Sequence, residues 1–326
     1  MMAMLLARVL FERDDLERVA QLLEEFDGWS GDFGFVDALI TGWVTRSRMI
    51  ALVEGSEAAL HLLEDAKFTA RQRGFDRLQQ IVAFEQIRLL VSLGRPHDAI
   101  RIGEEIVLPR NRSAVFPGRV VTTRDEVRAL CWARLAMLCG GRGDAIKVCE
   151  QWRSFVSGAG AIRSVIRWDL LLVTLQAADG DSRLARRTLR RALALAAPQG
   201  LLRNFLDEGA AIGNLLLTCP DIGAGENPAV ARFAAQLIDR FSKQMGRKPS
   251  HTPPAERTVN AVGELSPNEI KILKLSSDGM LYREIGGTLS ISEGTVKWYM
   301  HQIYAKLGVN RRVLAIETAR RLGLLA

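Results

Sequence analysis

Aromatic side chains, paired cysteines and uninterrupted apolar runs are all scarce in this chain. Aromatics make up 6% of its 326 residues, while Ala, Leu and Arg are plentiful. Strands favour aromatic and β-branched residues and helices favour Ala, Leu and Arg, so the balance points to helices packed on helices. The four cysteines (Cys131, Cys139, Cys149, Cys219) never stand in C-x-x-C spacing, and His61, His97, His251 and His301 are scattered. Neither set forms a ligand cluster, so reduced thiols and no metal site are expected. No stretch approaches the roughly 18 uncharged apolar residues of a membrane span. The segment from Trp168 to Ala178 is too short and carries Asp169. The first residues, MMAMLLARVLF, run straight into Glu12, Arg13, Asp14 and Asp15. They lack a basic n-region and a small-residue cleavage site, which argues against a secretory signal and for a cytoplasmic protein. A phosphate loop of the form G-x-x-x-x-G-K-[ST] is missing as well: Gly140-Gly141-Arg142-Gly143 leads into Asp144. With no phosphate loop, metal cluster or nucleophile–base pair in view, a non-enzyme without a cofactor is expected.

What the chain does hold is length, positive charge and helical periodicity. Its size is that of about two domains. Lys and Arg number 44 against 37 Asp and Glu, a net charge of +7, which suits a nucleic-acid or anionic-lipid partner and equally suits plain solubility. In the first three quarters a corner signature recurs, a polar or glycine-containing turn followed by a helix that opens with a small residue. It occurs at Asp14–Ala20, Gly55–Ala59, Gly94–Ile100, Gly143–Ile146 and Gly180–Ala185. From Val19 through Ala58, Ala99 and Ala145 to Ala185 the steps are 39, 41, 46 and 40 residues. That spacing fits one helix–turn–helix pair per unit, a tetratricopeptide (TPR)-like solenoid with long repeats, although the full consensus is absent and an irregular helical domain is the alternative.

The stretch 183–196 carries two stripes. Ala185, Leu189, Ala192, Leu193 and Ala196 fall at core spacing, and Arg183, Arg186, Arg187, Arg190 and Arg191 lie opposite. The basic stripe reads first as a solvated helix face and second as a surface for an acidic partner. Pro198 and Gly200 end this helix. After a further helix from Pro228 to about Met245 comes Gly246-Arg247-Lys248-Pro249-Ser250-His251-Thr252-Pro253-Pro254, polar and proline-broken, which reads as a linker.

The remaining residues follow a tighter pattern. Ser266-Pro267-Asn268-Glu269 forms a capping box with Ser at N-cap, Pro at N1 and Glu at N3. It opens a helix to about Ser277 that should bury Ile270 and Leu273 and close at Gly279. A second helix fits Tyr282 to Leu289, with Ile285 and Leu289 inward. A short corner, Ser290-Ile291-Ser292, offers Ser292 as the N-cap of a third helix from Glu293 to about Leu307. Val296, Met300, Ile303 and Leu307 make one apolar stripe on it. Its opposite face carries Gly294, Thr295, Trp298, His301, Gln302 and Ala305, with Lys297 on the flank. Hydrogen-bonding groups, an ammonium and a flat aromatic are what a helix needs to read base edges and hold phosphates in a major groove. Two short helices joined by a tight corner, the second entering the groove, make a helix-turn-helix at about 281–300. Trp298 could reach a base or stack on a neighbouring helix.

These residues carry a resemblance. Glu264-Leu265-Ser266-Pro267-Asn268-Glu269, Tyr282-Arg283-Glu284-Ile285, Leu289 to Lys297, Ile303 to Val309 and Gly323-Leu324-Leu325 together resemble the LuxR-type DNA-binding domain across nearly all of 257–326. The resemblance implies a four-helix domain that binds double-stranded DNA. It implies a last helix, about Arg312 to Leu322, that mediates dimerisation, and DNA contacts at Thr295, Lys297, Trp298 and His301. The chain departs from the family at Asn268, at Gly286-Gly287 and at Trp298. Upstream, Ala192 to Gly200 followed by Arg203-Asn204-Phe205-Leu206-Asp207-Glu208-Gly209 is similar to the helical region preceding this domain in large MalT-like regulators. Their nucleotide-binding module has no counterpart here, so the chain reads as the back half of such a regulator, either a natural short form or a truncated frame.

The expectation is therefore an all-α protein, with a TPR-like helical-repeat domain at 1–246, a linker at 247–256 and a four-helix LuxR-type domain at 257–326. The expected function is sequence-specific DNA binding by a dimeric, cytoplasmic transcriptional regulator through a recognition helix at 293–307. The repeats would receive an effector or protein partner, and no membrane contact is expected. The alternative is a repeat-protein adaptor whose C-terminal domain makes protein contacts only.

Overall fold

The computed structural model describes residues 2–26, 36–223, 227–246, 265, 267–289, 293–309 and 311–325. Every regular element among them is helical, and the chain divides into two compact units.

In the N-terminal unit the helices follow one another two by two: α1 (Met2–Glu12) and α2 (Leu16–Phe26), α3 (Val36–Val53) and α4 (Ser56–Arg73), α5 (Asp76–Ser92) and α6 (Pro96–Glu105), α7 (Thr123–Leu138) and α8 (Arg142–Gly158), α9 (Ile162–Ala178) and α10 (Ser182–Ala196). Each pair turns on a residue with left-handed backbone: Asp14 (φ 67°), Gly55 (100°), Gly94 (68°), Gly140 (79°) and Gly180 (87°). A Cβ disfavours that region, which is why glycine takes four of the five corners; aspartate is one of the few residues that tolerates it. The small residues counted in the sequence, Val19, Ala58, Ala99, Ala145 and Ala185, are all buried. One corner lies elsewhere than expected. Gly143 sits inside α8, and the turn is made three residues earlier at Gly140.

The 46-residue step also has a structural cause. Residues 106–122, inserted between α6 and α7, hold only a short 3-10 turn, Arg112–Val115. Two indoles anchor this insert, Trp132 Nε1 donating to the Pro109 carbonyl at 2.9 Å and Trp152 Nε1 to that of Val115 at 2.6 Å. Trp152 stacks on Trp168 of the next pair, 5.6 Å between ring centres at 14°, so the insert is tied into the core of the array.

Beyond α10 the array ends in α11 (Leu202–Leu206), α12 (Ala210–Thr218) and α13 (Pro228–Gly246). The α10 stripe of Ala185, Leu189, Ala192, Leu193 and Ala196 is fully buried and shares a core with Phe205, Ile212, Leu237 and Phe241. Its basic stripe divides. Arg183, Arg186 and Arg187 are exposed, as a solvated face should be. Arg191 instead binds the fully buried Asp169 of α9 through Nη2 and Nε at 2.5 and 2.9 Å, with Arg153 of α8 3.0 Å from the same carboxylate. A carboxylate sealed in the core needs its charge matched, and Arg191 supplies part of that match while its side chain stays half-buried.

The C-terminal unit consists of α14 (Pro267–Ser277), α15 (Tyr282–Leu289), α16 (Glu293–Leu307) and α17 (Arg312–Arg321). Ile272, Leu273, Ile285, Val296, Met300, Ile303, Leu307, Ala315 and Ala319 form its core. On α14 the core residues are Ile272 and Leu273; Ile270 is only partly buried, as is Leu289 on α15. The expected N-caps Ser266 and Ser292 and the expected linker 247–256 lie outside the described residues.

Candidate nucleic-acid interface and inner cavity

The helix-turn-helix is positioned from its buried side. Val296, Met300, Ile303 and Leu307, the stripe read from the sequence, are all buried, and Tyr299 joins them. Full burial of each such side chain contributes about 1.5–3 kcal/mol, so α16 has one stable rotational setting. Two polar contacts lock it further. Lys306 Nζ, in its last turn, donates to buried Glu269 Oε2 of α14 at 2.6 Å. Tyr304 and Tyr282 share a hydrogen bond at 3.1 Å; burial and this bond hold the Tyr304 hydroxyl above its usual range. Glu269, expected as a capping residue, thus also ties α14 to α16.

A residue that sequence reasoning passed over sets the other helices. Arg312, at the start of α17, donates through Nη2 to the carbonyls of Ser276 and Met280 at 2.7 and 2.8 Å, and its guanidinium lies 5.6 Å over the Tyr282 ring. It thereby ties the start of α17 to the end of α14 and the turn that follows it. No periodic signal in the sequence marks it, because its partners lie 36 and 32 residues away. Glu284 caps α15 by accepting from the Leu281 amide at 2.7 Å.

All four expected DNA-contacting residues fall on α16. Lys297 is 58% exposed at its side chain and pairs with Glu293, one turn before it, at 2.7 Å. An exposed pair of this kind holds a lysine by less than about 1 kcal/mol, so the ammonium is free to exchange Glu293 for a phosphate. The side chains of Thr295, Trp298 and His301 lie outside the described residues.

The N-terminal unit encloses a second feature, a cavity of about 500 Å³ lined by α1, α3, α5, α7, α9 and the α11 region. Charged groups cluster on its wall. Arg48 pairs with Glu85, and its Nη1 lies 3.4 Å from Asp207 Oδ2. Arg88 reaches Glu85 at 3.0 Å and the Asp207 carbonyl at 3.1 Å. Burial raises the Glu85 carboxyl, but the two guanidiniums outweigh it and hold it down at about 2. For Asp207 burial wins over the arginines, and its carboxyl is raised. These residues come from helices far apart in sequence, and nothing in their spacing announces them.

Comparison with known proteins places both units. Residues 1–219 match the model of the MalT-like TPR region. The chain belongs to that family. Within it, the C-terminal unit of this MalT-like protein matches, over residues 263–319, the model of bacterial regulatory proteins of the luxR family, and it is a LuxR-type helix-turn-helix domain. The HTH-type transcriptional regulator AlkS of Ectopseudomonas oleovorans is 23% identical over 271 residues, 82% of this chain and 28% of that protein. The AlkS of Alcanivorax borkumensis is 39% identical over 69 residues, 21% of this chain and 8% of its own. The regulator MalT of Vibrio cholerae is 27% identical over 172 residues, 49% of this chain and 18% of its own. The chain thus spans less than a third of the length of these relatives. No solved structure matches. Among the described residues no helix is long and apolar enough to cross a membrane.

Proposed function

We propose that this MalT-like chain is a transcriptional regulator whose C-terminal domain, residues 257–326, binds double-stranded DNA as a homodimer. In this reading α16 enters the major groove, Lys297 holds a phosphate or base edge, and Thr295, Trp298 and His301 face the bases. Residues 1–246 receive an effector or a protein partner, with 247–256 as the connection, and the protein acts in the cytoplasm. The observation that carries the reading is the asymmetry of α16. Its apolar stripe is wholly consumed by the domain core, while Lys297 stays exposed on a weak pair. A helix built so is anchored on one side and charged on the other, as groove binding requires.

The test is retention of the full chain on fragmented genomic DNA at low salt, followed by sequencing of the bound fragments. A shared sequence with two-fold related halves is the expected result. No enrichment, together with a stable protein complex in pull-downs, would favour the adaptor alternative.

A further inference from the structure

The cavity of the N-terminal unit is lined by guanidiniums with more donors than their own carboxylates take up. Most of its charges are spent on each other: Arg48 and Arg88 on Glu85 and Asp207, Arg77 on Asp37 at 2.7 Å, and Glu208 on Arg134 at 2.6 Å. Glu126 is also engaged, its two oxygens accepting from Trp168 Nε1 and Ser164 Oγ, each at 3.1 Å. That leaves Arg167. Its nearest carboxylate oxygen is Glu126 Oε1 at 3.9 Å, beyond hydrogen-bond length, and that oxygen is already taken by the indole. Arg8, across the cavity on α1, donates to Glu12 through Nε alone at 3.3 Å. Its two Nη groups remain, and Glu12 is further shared with Arg163 at 3.0 Å.

Guanidiniums that face a cavity with donors to spare have a definite preference. Arginine presents a planar fork that matches the two oxygens of a carboxylate or phosphate. Arg8 and Arg167 are close enough to repel one another: burial lowers the Arg8 pKa, and Arg167 and Arg48 lower it further against the pull of Glu12. An anion between them relieves the repulsion and takes up the spare donors. Beside these cations the wall is apolar, with Leu5, Phe11, Ile40, Val44 and Leu170. The volume lies within the ordinary range for small-molecule sites.

We propose that the cavity binds a small organic anion, its carboxylate or phosphate seated between Arg8 and Arg167 and its apolar part against Phe11, Ile40 and Val44. This rests on the reading of the repeats as an effector-binding region and names the chemistry of the effector. Because Arg8 belongs to α1 and Arg167 to α9, the bound anion bridges the first helix pair to the fifth and tightens the array.

Three probes of similar shape separate the possibilities: phenylphosphate, phenylacetate and the neutral phenylacetamide. Each is titrated into the full chain, with melting temperature and titration calorimetry as readouts. The expected result is saturable binding and a raised Tm with at least one anion and none with the amide. Arg167→Ala should weaken that binding roughly ten-fold, the loss of one charge-assisted contact. It should leave the melting temperature of the free protein unchanged, since Arg167 makes no hydrogen bond among the described residues. Arg167→Lys, which keeps the charge and loses the fork, should fall between. Saturable binding of the amide with no preference for the anions would overturn the proposed chemistry and leave an effector site standing. Absence of binding by all three up to about 10 mM, where a 1 mM site would be nearly filled, would overturn the anion site, and wild-type affinity in Arg167→Ala would remove that residue from it.

Discussion

Asp14 and Arg203 stand 189 positions apart and meet in an ion pair, Arg203 Nε donating to Oδ1 at 2.6 Å with both side chains almost wholly buried. Asp14 is the corner of the first helix pair, and Arg203 lies on the short α11 past the last. Arg240 of α13 binds the other oxygen of the same carboxylate, and the Arg203 guanidinium covers the Phe11 ring at 5.6 Å. The start of the helical array is therefore fastened to its end.

The left-handed backbone at Asp14 allows the fastening to be tested apart from the turn. Asp14→Gly keeps the corner without strain but takes from buried Arg203 its hydrogen-bonded carboxylate, leaving only Asp207 at 3.9 Å, which should cost about 3–5 kcal/mol. Asp14→Ala should cost about 1–2 kcal/mol more, the penalty for a Cβ at φ 67°. Urea denaturation of the two variants gives both terms; equal stabilities would show that the turn carries no strain.

The Glu85 cluster sets an acid limit on this unit. Its carboxyl lies at about 2 against an ordinary 4.5, so its contribution to stability is complete above about pH 4.5 and is lost as pH falls toward 2. Asp207, raised, has the opposite sign and is relieved by acid. Glu85→Gln should be about 3–5 kcal/mol less stable near pH 7, since Arg48 and Arg88 lose their shared partner. Its stability should then fall less steeply than wild type between pH 4.5 and 2. Unfolding midpoints across that range check the slope.

Two substitutions on α16 should fail for different reasons. Ile303→Ala removes a fully buried side chain and should cost about 2–5 kcal/mol, abolishing DNA binding through the fold. Lys297→Ala should leave the melting curve almost unchanged and weaken DNA binding across sequences. It should also lower the slope of log affinity against log salt by about 0.9. Gel shifts at several salt concentrations distinguish them, and an unaltered slope would take Lys297 off the phosphate. Trp298→Ala should change which bases are preferred in the same assay.

Thiol chemistry offers a check on the repeat core. Cys131 and Cys149 are buried, and burial pushes Cys131 up to about 12 and Cys149 higher, so neither holds a thiolate near neutral pH. Cys139 is exposed and Cys219 partly so. A thiol-reactive dye should label Cys139 first and Cys131 and Cys149 only after denaturation. Rapid labelling of either buried thiol in the native protein would contradict this packing.

The helices, their pairing rhythm and the inner stripe of α16 were legible in the residues because each depends on neighbours within a turn or two. A left-handed corner wants glycine, a capped start wants a side-chain acceptor, and a buried face repeats every three or four positions. The misplacement of one corner, Gly143 for Gly140, belongs to the same scale: with three glycines among residues 140–143 the local signal does not choose. Arg191 on Asp169, Arg312 on the carbonyls of Ser276 and Met280, the Asp14 fastening and the arginines of the cavity could not be read this way. An ion pair between residues dozens to hundreds of positions apart leaves no periodicity. Which charges are matched and which are left over emerges only when packing brings the helices together and removes the water between them.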